Sequence, residues 1–401
     1  MFEPLRSVEL LFPSKVLFGV DAVKRVGLEA KQLNAKRILV ITDPGVPKVG
    51  LLNKVMEPLE KENLKAEYYD KVEPEPSITS VEDIFSQARR IGADLLVGLG
   101  GGSSLDVTKA AGALMGNSGD PEDYFPLTGK KEFVNPGVPV INIPTTAGTG
   151  AEITPWSVIK TRKGIKAWYG PSKYLSPAVA IVDPIMSSTM PPRLTASTGM
   201  DALAHGIESV LTKTSNPITE ALALRSIRLV SQNLRTAVYQ GDNLEARYNM
   251  ALAALTEAFS EGNTGCVEAH AIGMLVGSFH AVHHGMSCAV ALPYAMEFNS
   301  VILPDRLKLV AEAMGEEVTG LSQREAAYQG IYAVRQLVRD VGLPTSFREL
   351  GVRKDEITNL VNTVMSDPWM RNVYGGCMRP IDKESLTMLL ENMWEGKLGE
   401  R

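Results

Sequence analysis

From its start to Asp183-Pro184 the chain alternates short β-branched runs with stretches of helical periodicity, and that alternation leaves few architectures open. KRILVITD (Lys36 to Asp43) is a β-branched run closing on an Asp-Pro-Gly turn. A helical pattern from Leu51 to Leu64 follows, then the short strand AEYYD, then a helix from Ser80 to Ile91. DLLVGLGGGSS (Asp94 to Ser104) is a buried strand running into glycines and a helix start, and VPVINIPTT and VAIVDP supply further strands. Strand and helix at this spacing predict a parallel, doubly wound α/β sheet. After Asp183-Pro184 the texture becomes helical, with apolar residues at three and four: Gly199 to Lys213, Pro217 to Tyr239, Leu244 to Glu261, then shorter pieces. The expected division is an α/β domain over residues 1–186 and an all-α domain over residues 187–401.

Composition removes several function classes. With 41 Lys and Arg against 46 Asp and Glu, the net charge of -5 gives no basic footprint for nucleic acid. No run of about 18 apolar residues would span a bilayer, and MFEPLRSVELLFPSK is a poor signal peptide. Cys266, Cys288 and Cys377 are an odd count without CxxC spacing, so a disulfide framework is not expected. The expectation is a cytoplasmic protein that meets neither membrane nor nucleic acid.

GLGGGSSLDVTKA (Gly98 to Ala110) lies where a strand turns into a helix. Consecutive glycines let a backbone approach a pyrophosphate, and free N–H groups at a helix start favour an anion. The run is not GxGxxG, because Ser103 stands at the third glycine position, and glycines there can also serve the turn alone. Asp43 ends the first strong strand. It can accept hydrogen bonds from an adenosine ribose and repel a 2′-phosphate, favouring NAD over NADP, or it can simply close an Asp-Pro turn. INIPTTAGTGAE (Ile141 to Glu152) follows a strand with hydroxyls and small residues, suited to wrapping a cofactor or to a flexible loop.

All five histidines fall between His205 and His284. A chain so poor in histidine that gathers it in one region points to a metal or proton-transfer site there. In GMDALAHGIES, Asp201 and His205 stand at i and i+4 and so share one helix face. In EAHAIGMLVGSFHAVHHGMSCAVALP, His270 opens an apolar helix and His284 sits at a Gly turn. Both can converge with the earlier pair on Fe²⁺ or Zn²⁺, which suit mixed nitrogen and oxygen donors. His280 and His283 are expected beside the ligands or in solvent rather than among them.

In this order GGGSSLDVTK, IPTTAGTGAE, GMDALAHGIES and HHGMSCAVALP resemble the signature motifs of the iron-containing (group III) alcohol dehydrogenase family, over nearly the whole chain. FPSKVLFG is similar to the family's opening hairpin. The resemblance implies a Rossmann-like N-terminal domain with a parallel sheet, an all-α C-terminal domain, and a homodimer or higher homo-oligomer. It implies metal ligands Asp201, His205, His270 and His284. It implies NAD contacts from Asp43, Gly101, Gly102, Ser103, Asp106, Thr145, Thr146, Thr149 and Lys166, with Fe²⁺, or Zn²⁺ or Mn²⁺, as the metal.

Two positions depart from the family. Met274 stands where many members carry a histidine near the nicotinamide, so a proton relay there must be rerouted through His280 or water. Pro74-Glu75-Pro76 has an acid where the family's turn usually has Asn. The expected reaction is hydride transfer between a primary alcohol, or its aldehyde, and NAD(H), with the metal polarising the substrate oxygen. The alternatives are a polyol dehydrogenase of the same superfamily and a nucleotide- and metal-binding protein without turnover.

Overall fold

The computed structural model describes residues 7–12, 15–280 and 282–399. They divide into two compact units, residues 11–190 and residues 191–399 together with 7–10.

The first unit is built on eight strands: β1 Lys15–Phe18, β2 Arg37–Ile41, β3 Lys65–Tyr69, β4 Leu95–Gly100, β5 Val140–Pro144, β6 Ser157–Lys160, β7 Lys166–Tyr169 and β8 Val179–Val182. Its helices are α1 Val26–Gln32, α2 Gly45–Lys48, α3 Asn53–Lys61, α4 Ile78–Ile91 and α5 Gly102–Leu114. Six strands form one sheet in the order β1-β8-β5-β4-β2-β3, and every neighbouring pair is parallel. Strands β4, β5 and β8 are buried along their whole length, which is why they read as continuous apolar runs. The edge strand β3 is largely exposed and correspondingly polar. Leu39, Val97, Ile141 and Ile181 are fully buried in these strands.

After β2 the chain builds outward to β3, then returns to place β4 on the other side of β2. That reversal is a switch point, and in open α/β sheets it opens a crevice at the carboxyl ends of the strands. Asp43 follows β2 and the glycine run follows β4, so both lie at those ends.

One local reading is corrected. Instead of opening a hairpin, β1 runs parallel to β8, with Lys15 opposite Val179; Pro13 and Ser14 of that motif lie outside the described residues. The antiparallel hairpin is β6 with β7, pairing Ser157 with Tyr169 across a turn in which Gly164 takes a φ of +76°. Its signal was present in SVIK and IKAWY around Lys163-Gly164, a positive-φ turn that glycine adopts without strain.

The second unit is helical: α6 Pro192–Leu211, α7 Pro217–Tyr239, α8 Leu244–Thr264, α9 Glu268–Phe279, α10 His284–Asn299, α11 Pro304–Met314, α12 Gln323–Asp340, α13 Ile357–Ser366, α14 Pro368–Gly375 and α15 Lys383–Glu395. Helix α6 begins earlier than its periodicity suggests because Pro192 takes the first helical position, where a missing N–H costs nothing. Asn216 starts α7 with a capping box, its side chain accepting from the Ile218 and Thr219 N–H groups. Among the described residues no helix is long and apolar enough to cross a membrane.

Candidate functional site

Helix α6 is buried along nearly its whole length, yet it carries Asp201, His205 and Glu208. Their spacing of four and three places them on one face. His270 lies in the first turn of α9, and His284 is the first residue of α10. Gly285 lets α10 start so close to α6, since a Cβ there would sit 2.2 Å from the Ser197 carbonyl oxygen.

Three of the four expected ligands converge. Asp201 Oδ1 lies 3.6 Å from His270 Nε2 and 3.8 Å from His284 Nε2. His205 stacks on the His270 ring at a centroid distance of 4.1 Å, and its Nδ1 lies 3.5 Å from Glu257 Oε1. The donors that come within 4.8 Å of one another are those of Asp201, His270, His284 and Cys288, and separately those of His205, His270 and Cys266. His280 ends α9 and pairs with Glu356 at 3.3 Å. Ten residues of chain, mostly helix rising about 1.5 Å each, separate it from His270. His283 Nδ1 meets Ser197 Oγ at 2.6 Å.

Glu208 organises the site. Its Oε1 accepts from the Ala269 and His270 backbone N–H groups, and its Oε2 accepts from the Val267 N–H and from His270 Nδ1, the last at 2.5 Å. One carboxylate thus satisfies the open N–H groups at the start of α9 and sets the tautomer of the His270 ring. The ring then presents Nε2 toward Asp201. Burial opposes ionisation of Asp201, but the neighbouring imidazoles of His270, His284 and His205 outweigh it and hold the carboxyl well below its usual range. Burial pushes Glu257 up to about 8, and neighbouring His205 offsets part of that rise.

Asp201 Oδ1 and His270 Nε2 are buried without a hydrogen-bond partner. Unsatisfied lone pairs at this depth are costly unless a cation or proton fills the space between them. The residues therefore fit a divalent metal. Glu208, Glu257 and Cys288 escaped the sequence reading. Glu208 and Cys288 carried a signal, standing three residues after His205 and four after His284, whereas Glu257 had none beyond being an acid in an apolar helix.

In the sheet unit the glycine loop and the Thr-rich loop lie against each other. A Cβ at Gly102 would sit 2.9 Å from Thr149 Oγ1, and one at Gly101 would sit 3.4 Å from the Thr146 methyl. The Thr145 N–H donates to the Gly100 carbonyl, tying the loops together. Gly101 caps α5 in an extended conformation, and it has no side chain to occupy the helix start. This is a backbone cradle that an added Cβ would fill, and it fits a phosphate. Asp43 accepts the Gly45 N–H through Oδ1 at 2.8 Å, closing the turn, while its Oδ2 faces Gly100.

Glu75 donates its backbone N–H to Ser103 Oγ at 3.3 Å, so its turn borders the cradle. It takes a left-handed φ of +52°, a region that Asn tolerates better. Its carboxylate is clasped by Lys166 at 2.5 Å and Lys160 at 3.0 Å, which leaves Lys166 already engaged. The Asp106 carboxylate likewise pairs with buried Lys109 at 2.9 Å and accepts the Val158 N–H at 3.0 Å, bracing α5 against β6.

A parallel sheet with a glycine cradle at its switch point, together with a buried carboxylate–imidazole cluster in a helical unit, defines a metal- and nucleotide-handling oxidoreductase class. The profile described as "Iron-containing alcohol dehydrogenase" matches residues 13–184, and that of "Fe-containing alcohol dehydrogenase family, C-terminal" matches residues 195–394. The chain belongs to this family of oxidoreductases. It is 36% identical over 371 residues to 1,3-propanediol dehydrogenase of Klebsiella pneumoniae, covering 90% of this chain and 93% of that one. It is 36% identical to the NAD-dependent methanol dehydrogenase of Bacillus methanolicus, covering 88% and 92%. The crystal structure of a 1,3-propanediol oxidoreductase superposes with a TM-score of 0.93 at 33% identity, over 97% of this chain and all of that one.

Proposed function

We propose that the chain is an alcohol dehydrogenase and aldehyde reductase that moves hydride between a primary alcohol, or its aldehyde, and NAD(H). Residues 1–186 take the dinucleotide, and residues 187–401 hold a divalent cation through Asp201, His205, His270 and His284. The observation that carries this reading is the pair of buried, unpartnered donors Asp201 Oδ1 and His270 Nε2. When bound, the cation supplies Lewis acidity toward the substrate oxygen, and the nicotinamide carries the hydride.

The chain's own residues prepare for both groups. Glu208 holds His270 with Nε2 presented, and the burial of Asp201 and His270 excludes water that would weaken their hold. The N–H groups at the start of α5 face the pyrophosphate, with Thr145, Thr146 and Thr149 beside it. The Asp43 carboxylate takes the adenosine ribose. Met274 has no proton to exchange at neutral pH, so the alcohol's proton leaves by another route. The family resemblance extends the proposal to a cytoplasmic homodimer.

Protein reconstituted anaerobically with Fe²⁺, Zn²⁺ or Mn²⁺ is expected to reduce NAD⁺ with simple primary alcohols and oxidise NADH with their aldehydes. A panel including 1,3-diols and glycerol separates this reading from a polyol dehydrogenase. Stoichiometric binding of metal and NAD with no turnover on any member overturns it.

A further inference from the structure

Lys160 on β6 and Lys166 on β7 stand directly opposite each other in the antiparallel hairpin, so both side chains leave the same face. Two like charges so placed repel unless an anion lies between them. Here the anion is the Glu75 carboxylate, 2.5 Å from Lys166 Nζ and 3.0 Å from Lys160 Nζ. The Lys166 side chain is buried, whereas that of Lys160 is 29% exposed and so has room to move. Glu75 reaches them from a turn tied on two sides. Its own N–H donates to Ser103 Oγ in the first turn of α5, and the Lys160 N–H donates to the Pro76 carbonyl at 2.8 Å. The turn holds this acid at a φ of +52°, a left-handed conformation that costs a glutamate energy and persists only where its surroundings enforce it. The trio therefore borders the glycine cradle, and two ammonium groups against one carboxylate leave one positive charge in excess there.

We propose that Glu75 is a positioning residue that holds Lys166 in the free enzyme and yields it to a dinucleotide phosphate, its carboxylate staying paired with Lys160 through the exchange. This deepens the NAD-dependent reading above and rests on it. A carboxylate and a phosphate oxygen are alternative partners for one buried ammonium, so each contact Lys166 gives the phosphate is taken from Glu75. Lys160, partly in solvent, can follow the carboxylate and spare it an unpaired charge. The exchange makes the hold on the dinucleotide weaker than Lys166 alone would give. It also speeds departure, because Glu75 reclaims the ammonium as the phosphate leaves.

The test is NADH binding to the full-length protein, by fluorescence titration for affinity and stopped-flow displacement for the dissociation rate, with a melting curve on every variant. Glu75→Gln is expected to bind NADH about tenfold more tightly, through slower dissociation. Glu75→Asn, better suited to the left-handed turn, is expected to do the same and serves if Gln disturbs the turn. Lys166→Met separates exchange from a structural brace. Under exchange it costs about tenfold more affinity in the Glu75→Gln background than in the wild type, whereas loss of a brace gives a coupling of the opposite sign. Lys160→Met is expected to weaken NADH binding more in the wild type than in Glu75→Gln, where no carboxylate needs a second partner. Unchanged or weaker binding in both neutral variants, or additive effects of Glu75→Gln and Lys166→Met, overturns the exchange and leaves the NAD-dependent reading standing. A wild type that binds no NADH overturns that reading itself.

Discussion

His270 can offer Nε2 to a cation only while its proton sits on Nδ1, and Glu208 enforces that state by accepting from Nδ1 at 2.5 Å. Glu208→Gln keeps the shape but can turn an amide N–H toward a ring nitrogen that must itself donate. Metal affinity is expected to fall by about 10–100-fold, with the helical circular dichroism unchanged. Competition with a chromophoric chelator checks it, and wild-type affinity in the variant removes Glu208 from this role. Asp43 poses a similar single-residue question at the other site, because its Oδ2 faces the glycine turn at Gly100. A 2′-phosphate near that carboxylate meets repulsion of about 1–4 kcal/mol. Asp43→Gly is expected to raise kcat/KM with NADPH relative to NADH by about tenfold or more. Equal use of both cofactors by the unaltered enzyme would refute the assignment.

Helix α5 works as an element because its start is backbone alone. Gly101 and Gly102 let Thr146 and Thr149 approach, whereas the later Ala110, Ala111 and Ala113 are buried against the sheet unit's core. Adding a methyl at Gly102 puts a Cβ 2.9 Å from Thr149 Oγ1, which forces the threonine loop outward. Gly102→Ala is therefore expected to weaken NADH binding by about tenfold while costing little thermal stability, since the first turn of the helix gains a better helix former. Fluorescence titration and a melting curve on the same sample decide it. Unchanged affinity would show that the cradle has room the distances deny. Helix α9 is the counterpart in the helical unit, with its open N–H groups satisfied from α6 by Glu208 rather than by a residue of its own.

At the scale of the whole molecule, buried charge makes stability depend on pH. Burial pushes the Glu152 carboxyl up from 4.5 to about 7, and neighbouring Lys109 offsets part of that rise. The folded chain therefore keeps a proton that the unfolded chain releases first. The contribution of this one carboxyl to stability is full below about pH 4.5 and is lost as pH rises to about 7, by about 3 kcal/mol, then levels off. Glu152→Gln stays neutral throughout. Its melting temperature is expected to gain on that of the wild type steadily between about pH 5 and 8, measured without metal or nucleotide. Parallel pH curves for the two proteins would mean that Glu152 is ionised in the fold.

Much of this molecule was legible as sequence because the interactions involved are local. Apolar runs such as Leu95–Gly100 predict buried parallel strands, Asn216 and Pro217 mark a helix start, and consecutive glycines announce a turn where backbone must come close. The i,i+4 pair of Asp201 and His205 was visible for the same reason. Local rules act within a turn of helix or a strand pairing, and they carry no information on which faces meet. The parallel docking of β1 on β8 spans about 160 residues and was read instead as a hairpin. Only packing brings Glu208 to His270, places His205 near Glu257, and sets Cys288 beside His284 through the gap at Gly273. Sequence determined the elements and the donors they carry; which donors share one point in space was decided by the burial of helices α6, α9 and α10 against one another, where a missing Cβ or a single carboxylate selects the arrangement.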